Sequence, residues 1–149
     1  MPAELRLTRL LALGLVLEVL LAGTAIWAAL SMISTPDGSG MQMPVSWLRN
    51  TPFRDYFVPG LFLLLANGLL PLMVVLLALT GQRSAPLGML LSGVLLIGWL
   101  SIQLAMIRMV HPVMHPTLYV VAIALATIGY VTWKRMTRAG LTAEGGAGA

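Results

Sequence analysis

The chain has 149 residues, of which 58% are hydrophobic and 9% charged, with no cysteine and a formal net charge of +4. A soluble domain carries nearer a quarter charged residues, and no fold of this length hides so much apolar surface from water. Disulfides, thiol catalysis and cysteine-based zinc or iron–sulfur sites are excluded, and the basic residues sit at the ends of apolar runs, a topology signal that argues against nucleic-acid binding.

Four apolar runs follow one another: Leu10–Ile33, Phe57–Thr80, Leu87–Val110 and a shorter one at Leu118–Trp133, which needs Pro116 and Thr117 to complete its length. A helix rises about 1.5 Å per residue and a bilayer core is ~30 Å thick, so ~20 residues span it. The predicted fold class is an all-α integral membrane protein: a four-transmembrane-helix bundle with spans at about 10–33, 57–80, 87–110 and 117–133. Residues 1–139 form a single domain, and the Gly/Ala-rich tail 140–149 reads as disordered.

Arg6, Arg9, Arg83, Lys134, Arg135 and Arg138, six of the nine basic residues, fall on one side of this arrangement. The positive-inside rule places that side, with both termini, in the cytoplasm. Arg6 and Arg9 before Leu10–Leu21, with Gly23-Thr24-Ala25 following, also resemble a signal peptide. The apolar run continues to Ile33 and contains Glu18, which favours a retained first helix.

The segment between the first two runs is rich in turn residues. Pro36-Asp37-Gly38 is a turn with a mechanism: proline sets φ, aspartate bonds the following backbone and glycine accepts φ > 0. Val45–Asn50 suits a short amphipathic turn, and Thr51-Pro52 reads as the cap and first residue of the next helix. The run Thr51-Pro52-Phe53-Arg54-Asp55-Tyr56 with Pro59-Gly60, together with Gly98-Trp99-Leu100-Ser101-Ile102-Gln103 and His115-Pro116-Thr117-Leu118-Tyr119, resembles a family of small bacterial four-span membrane proteins of unknown function. The resemblance implies architecture and no activity.

Candidate functional residues fall into three groups. Glu18 is the deep charge, about 12 Å from Leu10 along the helix, with Ser92 and Gly93 expected at its depth. It reads as a proton- or cation-binding carboxylate or, more simply, as a protonated side chain satisfied by a neighbour. Asn67, Thr24, Ser101 and Thr127 form a midplane layer, with Gln103 slightly further out, and Asn67-Gly68 before Pro71 marks a kink. The layer suits either a ligand site or interhelical hydrogen bonding. At the outer face Asp55, Tyr56, Arg108, His111 and His115 cluster. Asp55, His111 and His115 are weak metal candidates, set against an Asp55–arginine pair and a histidine that packs its turn.

No catalytic set is assembled and no cofactor is expected. The leading functional expectation is a non-catalytic accessory or structural subunit, packing against itself or a larger membrane complex. A small transporter or lipid-handling protein using Asn67 and Glu18 competes with it, and an outer-face metal, haem or enzyme site is the third reading. The expected partners are the lipid bilayer and a homo-oligomer or partner subunits, with no nucleic acid.

Overall fold

A computed structural model describes the backbone of residues 3–107 and 112–146, with side chains for 8–105 and 112–139. Five α-helices account for most of it: α1 (Ala3–Ser34), α2 (Phe57–Leu63), α3 (Leu70–Leu79), α4 (Ala85–Ile107) and α5 (Met114–Gly146). A π-helical segment, Leu64–Leu69, joins α2 to α3 into one continuous rod. Among the described residues there is no strand. Four stretches are long and apolar enough to cross a membrane: Thr8–Ser34, Phe57–Leu79, Ala85–Ala105 and Met114–Ala139.

The fourth is 26 residues long and not the marginal span expected from sequence. The His115-Pro116 dipeptide lies within the first turn of α5, where a proline lacks nothing because those N–H groups have no intrahelical partner. The helix also runs on to Gly146, so most of the segment read as a disordered tail is helical. Thr51-Pro52 does not start a helix. Thr51 Oγ1 donates to Leu48 O at 2.9 Å and accepts from Phe53 N–H at 3.2 Å, closing a local turn, and α2 begins only at Phe57.

Glycines set how closely the helices approach. A side chain at Gly93 would lie 2.5 Å from the backbone of both Ala122 and Ala126, and one at Gly129 would collide with the backbone of Pro86 and Leu90. Helices α4 and α5 are therefore in backbone contact, and they form the most extensive pair in the bundle. Helix α1 packs along the α2–π–α3 rod in the same manner, with Gly60 against Met32 and Gly68 against Ile26. The two pairs join at the end carrying the Gly81 turn. There Gly14 receives Met89 and Ile128, Gly88 receives Val74, and Leu21, Leu96 and Leu125 complete the core.

At the opposite end the 35–56 loop covers the bundle. Gly38 has φ 79° and its amide donates to Thr35 O at 2.9 Å, as the Pro36-Asp37-Gly38 pattern requires. The Asp37 carboxylate accepts from the Ser39 hydroxyl at 2.7 Å and the Ser39 amide at 3.1 Å, and these bonds hold it below the usual aspartate range. A short 3₁₀ turn, Val45–Leu48, buries Leu48 beneath it. Tyr56 locks the loop to the bundle. Its ring is buried against Met32 and Leu48, its amide donates to Pro36 O at 2.9 Å, and its hydroxyl donates to Pro44 O at 3.2 Å.

Two outcomes follow. Gly93→Ala destabilises the bundle by about 1–3 kcal/mol through overpacking, whereas Gly23→Ala, with nothing near its Cβ, is neutral or stabilising; denaturant titration in micelles distinguishes them. Because the folded Asp37 carboxylate is depressed, the turn it caps is fully held above the ordinary aspartate range and loosens as pH falls through the folded value. Emission from Trp47 follows that loosening, and Asp37→Ala removes the pH dependence.

Candidate functional site

The π segment is where the second rod departs from regular geometry, and its cause is local. Pro71 lacks an N–H and its ring crowds the carbonyl four residues earlier, that of Asn67. The chain responds by widening one turn, so that the Leu70 amide donates to Leu65 O, five residues back. The expected kink at Asn67-Gly68 is thus a π turn, and it rotates Asn67 into the interior, where the side chain is 1% exposed.

Asn67 lines a partly enclosed cavity of about 410 Å³ between the two helix pairs. Leu21 and Ala25 of α1 and Leu96 and Leu100 of α4 also line it, and Met41, Met43 and Met114 line the end beneath the loop. A second cavity of about 230 Å³ lies toward Tyr56 and Phe53, and the two share Met32, Met43, Trp99 and Gln103 as walls. Trp99 stacks on Phe62 with ring centroids 4.9 Å apart, which ties α4 to α2 by an aromatic pair. The larger cavity falls in the size range of small-molecule sites, and the walls of both are overwhelmingly apolar.

The polar groups expected at the midplane separate. Asn67 is buried, and neither its Oδ1 nor its Nδ2 has a hydrogen-bond partner. Thr24 instead donates to its own helix at Leu20 O, 2.8 Å away, and Thr127 is exposed on the outside of the bundle. Ser101 donates to Ile97 O at 2.8 Å and shares a 3.0 Å hydrogen bond with the Tyr119 hydroxyl, which ties α4 to α5. Gln103 is half-buried in the shared wall.

Glu18 lies lower, on α1, fully buried. The Ser92 hydroxyl faces it, as depth arithmetic anticipates, and is close enough to interact. No hydrogen bond is completed between them, and both carboxyl oxygens and Ser92 Oγ are without a hydrogen-bond partner. The expected second neighbour, Gly93, faces α5.

At the loop end, Arg108 and His111 lie outside the described residues. Asp55 accepts from the Phe57 amide at 3.0 Å and so caps the start of α2. His115 is buried in the first turn of α5, and Tyr56 holds the loop. Among the described residues no three histidine, aspartate or glutamate side chains converge in a metal-binding group. Sequence reasoning missed the cavity itself; the signal was the concentration of methionines on both sides of the loop, at Met32, Met41, Met43 and Met114. Comparison with protein-family models, with curated proteins and with solved structures returned no match.

A buried amide without partners costs about 1–3 kcal/mol relative to one that is satisfied. Asn67→Leu, close to isosteric, accordingly raises the stability of the ligand-free protein, read as a shift of the unfolding midpoint in micelles; a lower midpoint would mean that Asn67 is satisfied in the native state.

Proposed function

We propose that the chain is a multi-pass protein of the bacterial inner membrane, with both termini cytoplasmic, and that it binds a lipid-like molecule in its outer half. The observation that carries this reading is the apolar cavity walled by Asn67. It combines adaptable methionine and aromatic walls with a few polar side chains, Thr24, Gln103 and the buried Asn67. Apolar chambers with a few convergent polar groups are the usual form of small-molecule sites, and a π turn places Asn67, a device common at functional sites.

Membrane placement rests on four apolar helices whose outward faces are dominated by Leu, Val, Ile and Phe. Orientation rests on the basic residues at the Gly81 end. The cavity then opens beneath the outer loop, within reach of the outer leaflet. The chemistry is binding, and the reading is lipid handling rather than catalysis.

A second reading, an accessory subunit that packs on another helix, is favoured by Gly23 and Gly98. Both are exposed on the outside of the bundle with open space where a side chain would stand, and small residues on a span let a neighbouring helix approach closely.

Ala28 lines the cavity and is half-buried, so Ala28→Phe fills space without entering the glycine contacts. Protein purified in mild detergent retains a bound apolar molecule, recovered by organic extraction and mass spectrometry. Ala28→Phe loses that molecule while keeping its helical circular dichroism. Equal recovery from both proteins, or none from the wild type, defeats the lipid-handling reading.

A further inference from the structure

Resting on the reading that the protein holds a lipid-like molecule, we infer that the occupant is an uncharged two-chain lipid of the diacylglycerol class. One chain lies in each cavity, and the polar centre sits at Gln103. The two cavities adjoin at Met32, Met43, Trp99 and Gln103, so a single amide stands in their shared wall. The Gln103 carboxamide takes part in no hydrogen bond among the described residues and, unlike that of Asn67, is not sealed by its neighbours. The hydroxyls in the walls are already engaged: Thr24 donates to Leu20 O, Thr51 to Leu48 O and Tyr56 to Pro44 O. Away from the junction the large cavity ends among Leu21, Ala25 and Leu96, and the small one among Leu48 and Phe53.

Apolar, polar, apolar is the order met along the joined cavities, and it is the order of a lipid whose two chains meet at a neutral centre. A carboxamide offers two N–H donors and one carbonyl acceptor. A diacylglycerol supplies the complement, two ester carbonyls that accept and one free hydroxyl that donates. Charge separates it from the phospholipids. Among the described residues lining either cavity there is no Asp, Glu, Lys, Arg or His, and the covering loop contributes Met41, Met43 and Leu48. A phosphate beside Gln103 loses its hydration beneath that apolar cover and gains a neutral amide in return. A single chain fills one cavity and leaves the lining of the other without its dispersion contacts. Met32 and Met43, flexible thioethers at the junction, can part to let one molecule occupy both sides.

Trp99 borders both cavities and serves as the reporter. The full chain, with Trp27, Trp47 and Trp133 changed to Phe, is placed in phosphatidylcholine nanodiscs and titrated with three brominated probes. These are a diacylglycerol with two dibromostearoyl chains, the single-chain methyl ester of dibromostearic acid, and dibrominated phosphatidylcholine. The diacylglycerol is expected to half-quench Trp99 at a mole fraction about tenfold below that of the phosphatidylcholine, the scale of one buried hydrogen bond. Gln103→Leu abolishes that advantage, and Gln103→Asn, which keeps the amide, retains part of it. Ala28 lines the large cavity and Val58 the small one, so Ala28→Phe and Val58→Phe fill them separately. Either substitution raises the diacylglycerol midpoint to that of phosphatidylcholine. The methyl ester, able to use whichever cavity stays open, keeps its advantage in both.

The inference is overturned if phosphatidylcholine matches the diacylglycerol, if the advantage survives Gln103→Leu, or if filling one cavity leaves it intact. The two substitutions also separate this inference from the reading beneath it. When Ala28→Phe blocks every probe and Val58→Phe blocks none, the large cavity alone holds a lipid and only the two-chain inference falls. When neither substitution alters quenching by any probe, the lipid-handling reading falls with it.

Discussion

Backbone-to-backbone contact at glycine determines the form of this bundle. With no side chain at Gly93 and Gly129, α5 lies directly on α4, and Gly60 and Gly68 let the second rod lie close along α1. Hydrophobic burial gives little preference for one helix arrangement when the surroundings are themselves apolar, so van der Waals fit at close range carries the specificity. Four helices thereby become two pairs. The pairs meet through Met89, Val74, Leu21 and Ile128 at one end, while the cavity with Asn67 in its wall lies between them toward the other.

This geometry allocates the polar side chains to different tasks. Ser101 and Tyr119 tie one pair together, and Tyr56 fastens the loop across the open end. Glu18 and Ser92 stand near the junction, facing each other without a completed hydrogen bond. Asn67 alone of the predicted midplane layer is both buried and in the cavity wall. The division follows from which helix face each residue occupies. Thr24 spends its hydroxyl on its own helix, and Thr127 points outward nearer the Gly81 end, next to the Ile128 that meets Gly14.

The amino-acid sequence made the helices legible because their signal is length and apolarity, which local composition carries in full. The Pro36-Asp37-Gly38 turn was equally readable, since each residue acts on its own backbone. Ser92 as the neighbour of Glu18 came from rise per residue alone. Other features depended on contacts that no local pattern reports. The end of the fourth helix was misjudged because Lys134, Arg135 and Arg138 stop an apolar run without stopping a helix. Thr51-Pro52 looked like a helix start because capping chemistry also serves an isolated turn. The cavity was not located because an empty space between pairs is a property of where Gly93 and Gly129 bring α5, and the methionines around the loop mark adaptable walls without saying where they meet.

The π turn at Leu64–Leu69 carries one residue more than an α-helix would need there. In terms of insertion and deletion, it is a splice that absorbs a single codon without lengthening the rod appreciably. Each residue turns a helix by about 100°, so the halves on either side of the splice face directions that a straight helix of the same sequence would not combine. Gly60 can meet Met32 while Val74 meets Gly88 only because the register changes between them. Related chains that drop one residue from this stretch would keep their hydropathy profile and their length across a bilayer. They would keep only one of the two contacts, and Asn67 would no longer face the cavity.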